Sequence, residues 1–414
     1  MNNYKVLFSL RVLKSIIDTF IDTFFVLYFL DVSSDNIVPL GVYYIIMVSV
    51  VYLTIYACRN FARTRHRVRL LRIAMVLDLV YFFLIITLQA QVVQYMYLLG
   101  LLRGLEEGFY YAVYNIMESD GIQNKERAKY IGSYKAAKAA CSMIFPVVLG
   151  GLMYATGFIE SSVVVIIIVA VRMLFSFAYK DKNIPRTKKT NLKKFRELTR
   201  RDQRFRWLNI MHFFDGLTCS SSAFSQIITL YVVTVFSDGF SLGIFTAIFA
   251  AVSGVIGIVF AKFMKQKQYS GAIGLPAIAM IASFLAMVFE CNVVTIVIFK
   301  FCRVIFLDFT HSITETGGAN LSNDVKIRRE YKSEFWVTNE QYLVAGRVIS
   351  NLLFISMAFM ESWTPIMIVF AVLLGIFALT AIKFQSTVFR SQKRSSKMRR
   401  LAPAFRFAEK DKAD

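Results

Sequence analysis

The chain has 414 residues, is 57% hydrophobic with 39 Phe, and carries charge on only 18% of its residues, against roughly 25% in an ordinary soluble domain. Its charges gather in short basic clusters between long apolar runs, which excludes a soluble fold and predicts an all-α integral membrane protein whose spans satisfy their own backbone. A net charge of +21 would suit nucleic acid, but its placement beside the apolar runs marks topology instead, and no nucleic-acid partner is expected.

In chain order, apolar runs of about 20 residues predict helices over 8–30, 39–58, 69–89, 92–117, 129–156 and 161–179. A second set follows over 207–236, 242–262, 270–289, 293–317, 334–359 and 365–387. The first run carries Arg11, Lys14, Asp18 and Asp22, which no cleavable signal-peptide core tolerates. The connections then alternate in charge. The first holds Asp31 and Asp35, and the next Arg59, Arg63, Arg65, Arg67, Arg69 and Arg72. Later connections on the first side hold Glu160, Asp238, Glu290 and Glu361. Those on the second side hold Lys125, Arg127 and Lys129, then Lys262, Lys265 and Lys267, then Lys326, Arg328, Arg329 and Lys332. Lys and Arg collect on the cytoplasmic side, so this alternation predicts an even number of crossings, about twelve, with both termini cytoplasmic.

The stretch Lys180–Arg206 holds twelve Lys and Arg against Asp181, Glu197 and Asp202. It divides the chain into an N-terminal six-helix bundle (1–179), a basic cytoplasmic central loop (180–206), a C-terminal six-helix bundle (207–387) and a basic cytoplasmic tail (388–414). The tail carries Arg390, Lys393, Arg394, Lys397, Arg399 and Arg400. Such juxtamembrane basic runs predict contact with anionic lipid. The cysteines Cys58, Cys141, Cys219, Cys291 and Cys302 are scattered, odd in number and never in C-x-x-C, so neither a disulfide framework nor a metal site is expected.

The two halves echo each other. Asp18 and Asp215 sit in the first span of each half, Gly41 and Gly243 open the second spans, and Arg103 and Arg303 occupy the fourth. This order predicts two bundles in a pseudo-two-fold relation. With that topology the chain resembles the major facilitator superfamily over essentially its whole length. The family's loop pattern G-x-x-x-D-R-x-G-R-R is only echoed in Asn60–Arg67, which keeps the basic residues and lacks the aspartate and both glycines. Arg103 followed by Glu106, Glu107 and Gly108 is similar to the family's R-x-x-Q-G. Pro146–Gly151 approaches the G-P-x-x-G-G of its drug antiporters without meeting it.

Ionisable groups within spans cost roughly 2.5–3.5 kcal/mol each, so they normally face a cavity. Asp18, Asp22, Asp78, Arg103, Glu107, Asp215, Arg303, Asp308 and Arg347 all count to mid-membrane depth. Lys14, Asp18 and Asp22 share one helix face, and Arg103 and Glu107 are spaced to pair. Gly100, Gly104 and Gly108 form a small-residue stripe for close helix approach. Lys14, Lys135, Lys138 and Arg172 lie within snorkelling reach of the cytoplasmic interface.

These observations, with the family resemblance, predict a secondary active transporter in a bacterial cytoplasmic membrane, acting as a monomer without cofactor or catalytic residues. Two bundles would rock around a central site. Asp18, Asp22, Asp215 and Glu107 are the candidates for cation or proton coupling. Arg103, Arg303, Tyr110, Tyr114, Asn115 and Asp308 are the candidates for binding a polar or anionic small molecule. His311 and Glu315 form a possible relay, since histidine titrates near neutral pH. Two rival readings are an exporter or flippase of an amphipathic or lipid-linked substrate and a transporter-derived membrane sensor or scaffold.

Overall fold

The computed structural model describes residues 3–33, 36–61, 67–121, 124–179, 191–219, 223–236, 238–263, 268–322 and 331–410. Every regular element among them is helical. The order is α1 (Asn3–Phe20), a π turn (Ile21–Phe25), α2 (Val26–Ser33), α3 (Val38–Cys58), α4 (Arg67–Leu88), α5 (Met96–Gly121), α6 (Asn124–Thr156) and α7 (Phe158–Phe177). Then come α8 (Leu192–Thr199), α9 (Gln203–Thr218), α10 (Ala223–Val235), α11 (Gly239–Phe263), α12 (Tyr269–Phe289), α13 (Val293–Ser322), α14 (Lys332–Ser356) and α15 (Thr364–Lys410).

Among the described residues nine helices are long and apolar enough to cross a membrane. The continuous α1–α2 rod, α5 and α13 are of comparable length but each carries several charged residues along its apolar stretch. Large apolar side chains such as Phe83, Leu174, Ile258, Leu275 and Leu379 stand exposed on the outer surface, the belt expected of a protein solvated by lipid. This is a multi-pass membrane protein.

Three details depart from the sequence reading. The first span is not a uniform α-helix: a five-residue π turn interrupts it and contains Asp22. The central segment is not all loop. Asn191 caps α8 by accepting the Lys193 N–H at 2.8 Å, and Phe195 buries itself beside Phe205 and Tyr331. A polar helix with one aromatic anchor is stable there because the cap satisfies its first turn. Finally, α15 continues to Lys410, through the segment read as a tail. The loop residues Asp35, Arg63, Arg65, Lys265, Lys267, Lys326, Arg328 and Arg329 lie outside the described residues. So do the side chains of Asn115, Lys125, Arg127, Lys129, Lys135 and Lys332, and those of the tail beyond Val388.

Helices α1 and α3–α7 pack on one another, as do α9–α15, and the two sets meet chiefly where α3 crosses α14 and α6 crosses α11. Glycines explain how closely these helices approach. A methyl group on Gly104 would lie 2.6 Å from the Met47 carbonyl oxygen, and one on Gly100 2.7 Å from that of Tyr43, so the predicted stripe seats α5 on α3. The glycines that open the second spans have matching uses. Gly41 of α3 meets Ile355 of α14, and Gly243 of α11 meets the Pro146 carbonyl of α6. Each allows one set of helices to touch the other.

Candidate functional site

Between the two sets lies a cavity of about 590 Å³, well within the range of small-molecule sites. Its wall on α3 runs from Tyr43 to Arg59, about 24 Å at 1.5 Å per residue. It reaches the helix ends on the basic face, at Arg59 and Ser333. Toward the acidic face it stops short of the helix ends, and there aromatic pairs pack within each set: Tyr28 on Phe158 (4.1 Å) in one, Phe236 on Phe245 (4.8 Å) and Tyr231 against Trp363 (6.4 Å) in the other.

The wall formed by α1 with its π turn, α3, α5 and α6 is backed by a dense charge cluster drawn from α1, α4, α5 and α7. Arg103 is its centre. The guanidinium donates to Asp18 (2.5 Å), Asp78 (3.1 Å) and Glu106 (2.9 Å), and pairs with Glu107 at 3.0 Å. Lys14 bridges Asp18 (2.9 Å) and Glu106 (2.8 Å), while Arg172 holds Asp78 at 2.6 Å. Lys14, Asp78, Arg103, Glu106 and Arg172 are buried. Burial on that scale is tolerable only because each charge has close partners. Asp18, Arg103 and Glu107 also line the cavity.

Asp22 differs. It is exposed to the cavity, and its carboxylate makes no hydrogen bond among the described residues. The π turn carries it past Asp18, and such turns recur at functional sites because they redirect side chains within a helix. Its charged and titratable neighbours are Asp18, Arg103, Glu107, Lys138 and Tyr44. With Asp22 and its neighbour Lys138 included, five carboxylates (Asp18, Asp22, Asp78, Glu106, Glu107) face four cations (Lys14, Arg103, Lys138, Arg172).

The opposite wall, from α10, α13 and α14, is built otherwise. Arg303 donates to the Ser225 hydroxyl at 2.8 Å, and Lys300, one turn away on the same face of α13, also lines the cavity. Gln226 and Thr229 continue this surface on α10, and Glu340 is held by Arg347 at 3.1 Å. Asp215 lies off the cavity wall, hydrogen-bonded to His311 at 3.2 Å.

The structure therefore sorts the predicted site residues. Asp18, Asp22, Arg103, Glu107 and Arg303 share one cavity. Tyr110 and Tyr114 are buried behind it. Tyr110 lies against the Arg172 guanidinium (4.7 Å), and the Tyr114 hydroxyl meets that of Tyr130 (2.5 Å). Their neighbour Tyr111 reaches the cavity instead. Asp308 is off the wall, Glu315 is exposed, and His311 reaches across to α9 rather than joining them as a set. Sequence reasoning missed Glu106 and Lys300. The spacing of each to an arginine already singled out, three residues in both cases, was the available clue.

A family model described as the Major Facilitator Superfamily matches residues 21–325. Among curated proteins, the uncharacterized protein YqgE of Bacillus subtilis (strain 168) is 22% identical over 333 residues, covering 78% of this chain and 75% of that protein. Among solved structures, the nucleoside transporter NupG superposes with a TM-score of 0.68 at 12% identity, over 92% of this chain and 100% of that one. The human organic anion transporter MFSD10 (TETRAN) gives 0.61 at 11% identity, over 91% and 98%. Likeness at such identities speaks to fold alone. The family match, however, spans well over half of the chain, which belongs to the major facilitator superfamily of membrane transporters.

Proposed function

We propose that the protein is a secondary active transporter that moves a polar or anionic small molecule by alternating access, coupled to protons. In this reading twelve helices cross a bacterial cytoplasmic membrane with both termini inside. The bundles at 1–179 and 207–387 rock about the cavity between them. The basic face is then cytoplasmic, and a cavity that reaches the helix ends at Arg59 and Ser333 and stops short of the opposite ends supports reading this arrangement as inward-facing. The basic segments at 180–206 and 388–414 lie against anionic lipid.

The observation that carries the coupling is the excess of carboxylates over cations around Asp22 and Arg103. Uncompensated charge at membrane depth is costly, so this cluster favours taking up a proton or another cation. Asp22 is the accessible member, with Asp18 and Glu107 beside it. The charged lining supports a solute rather than a lipid-linked substrate. The structural neighbours named for nucleosides and for organic anions fit such a cargo without choosing it.

The test is flux. Proteoliposomes holding the protein under an imposed proton gradient should accumulate a solute identified by ligand-induced stabilisation, and a protonophore should abolish that accumulation. Equal accumulation with and without the gradient would refute proton coupling.

A further inference from the structure

Resting on the transport reading, we infer that the α10–α13 wall is an oxyanion seat. Lys300 and Arg303 together hold the single carboxylate or phosphate group of a small organic solute, and the acidic wall opposite disfavours solutes with a second anionic group. Every buried cation on the other wall is matched by carboxylates. Lys300 and Arg303 are not: among the described residues neither has a carboxylate within 4 Å. The carboxylate nearest to Arg303 in sequence is Asp308, which is five residues further on and off the cavity wall.

The seat is built rather than incidental. Arg303 is aimed by Ser225, whose hydroxyl donates in turn to the Cys219 carbonyl at 3.2 Å. Thr229 donates to the Ser225 carbonyl at 3.0 Å and fixes the next turn of α10. Lys300 lies 5.8 Å over the Phe245 ring, a contact that steadies an ammonium group without neutralising it. Gln226 supplies the independent pointer to a ligand: it is buried on the cavity wall, and its amide oxygen has no donor among the described residues. A solute with a hydroxyl or ammonium group beside its oxyanion would satisfy that oxygen while the two cations take the charge. Arg is suited to such planar groups by its fork of donors.

The cavity is far larger than an inorganic ion requires. Across it, Asp18, Asp22 and Glu107 present three carboxylates against Arg103, which is already paired with Asp18 and Glu107, and Lys138. A solute with one oxyanion and a neutral or cationic far end fits both walls; a dicarboxylate fits one and is repelled by the other.

The experiment is thermal unfolding of the purified full-length protein in detergent at matched ionic strength, with lactate, glycerol 3-phosphate, succinate and uridine as probes. Lactate or glycerol 3-phosphate should stabilise the wild type, whichever does so distinguishing a carboxylate from a phosphate cargo. Succinate should do less and uridine nothing. Lys300→Met and Arg303→Gln should each weaken that apparent affinity roughly tenfold to a hundredfold, the loss of a charge-assisted hydrogen bond. Arg303→Lys, which keeps the charge, should lose less and guards against misfolding. Lys193→Gln, on α8, should change nothing.

Stabilisation by no oxyanion, equal stabilisation by uridine, a preference for succinate, or full retention in both variants would overturn the seat. The outcomes stay separable from those for coupling. Oxyanion binding that depends on Lys300 and Arg303, without gradient-driven flux in the wild type, would sink the transport reading alone. Gradient-driven flux of a neutral probe, unchanged in both variants, would sink the seat alone.

Discussion

In the amino-terminal helices the midplane charges are drawn into one body around Arg103, whereas in the carboxy-terminal helices they are dispersed, with Arg303 meeting only a hydroxyl. The two arginines look alike in sequence, each midway along the fourth span of its half. Their surroundings give them different work. A cation enclosed by carboxylates is committed to the fold and can only rearrange when one of those carboxylates changes protonation. A cation that meets only neutral groups remains able to bind an anion from outside. The comparison teaches that depth identifies a functional charge, and partners decide its function.

The sharpest way to break this comparison is to remove each arginine in turn. Arg103→Met leaves four carboxylates around an apolar side chain, and truncating one member of a buried ion cluster costs about 3–5 kcal/mol. Arg303→Gln forfeits mainly the bond to Ser225, about 0.5–1.5 kcal/mol. Unfolding by denaturing detergent should separate the two plainly. Equal losses would mean that the walls are not built differently.

Helix crossings give a smaller effect. Gly243→Val would drive a side chain into the Pro146 carbonyl, 2.3 Å from the first added carbon, whereas Gly257 has nothing within 4 Å of that position. Overpacking costs about 1–3 kcal/mol, so Gly243→Val should lower the unfolding midpoint while Gly257→Ala leaves it unchanged or slightly raised. A neutral Gly243→Val would remove the crossing of α6 and α11 from the account.

The smallest effect lies outside the membrane, at the start of α11. Hydrogen bonds from the Ser241 hydroxyl and backbone N–H hold Asp238 below the usual carboxylate range. A depressed folded-state pKa adds stability that is complete above the unfolded value, near ~3.9, and is lost as pH falls through the folded one. Asp238→Asn keeps the cap and should flatten the acid limb of a pH–stability profile slightly, because the group is largely solvated. An unaltered acid limb would show that its charge contributes nothing.

Much of the fold was legible because hydropathy and loop charge are local properties. The predicted spans overlap helices, including those too charged to stand out by apolar length, although the first contains the π turn and the one over 207–236 falls on both α9 and α10. What escaped depends on tertiary contact. The π turn at Ile21–Phe25 has no compositional mark, and α8 is held by an aromatic anchor inside a strongly basic segment. At the site, the Arg103–Glu107 pair follows from its spacing. That Asp18 and Asp78 also converge on Arg103 requires α1 and α4 to pack beside α5. Asp18 and Asp215 matched in depth, but Asp18 borders the cavity and Asp215 turns to His311. Equal position in a repeat did not mean equal surroundings.

The division of labour between the walls is tested most directly by measuring counterflow exchange and proton-driven accumulation of the stabilising solute in the same proteoliposomes. Asp22→Asn should keep exchange and lose proton-driven accumulation, while Lys300→Met should lose both. If Asp22→Asn still accumulates solute under a proton gradient as the wild type does, the proton does not enter at this wall and the account fails.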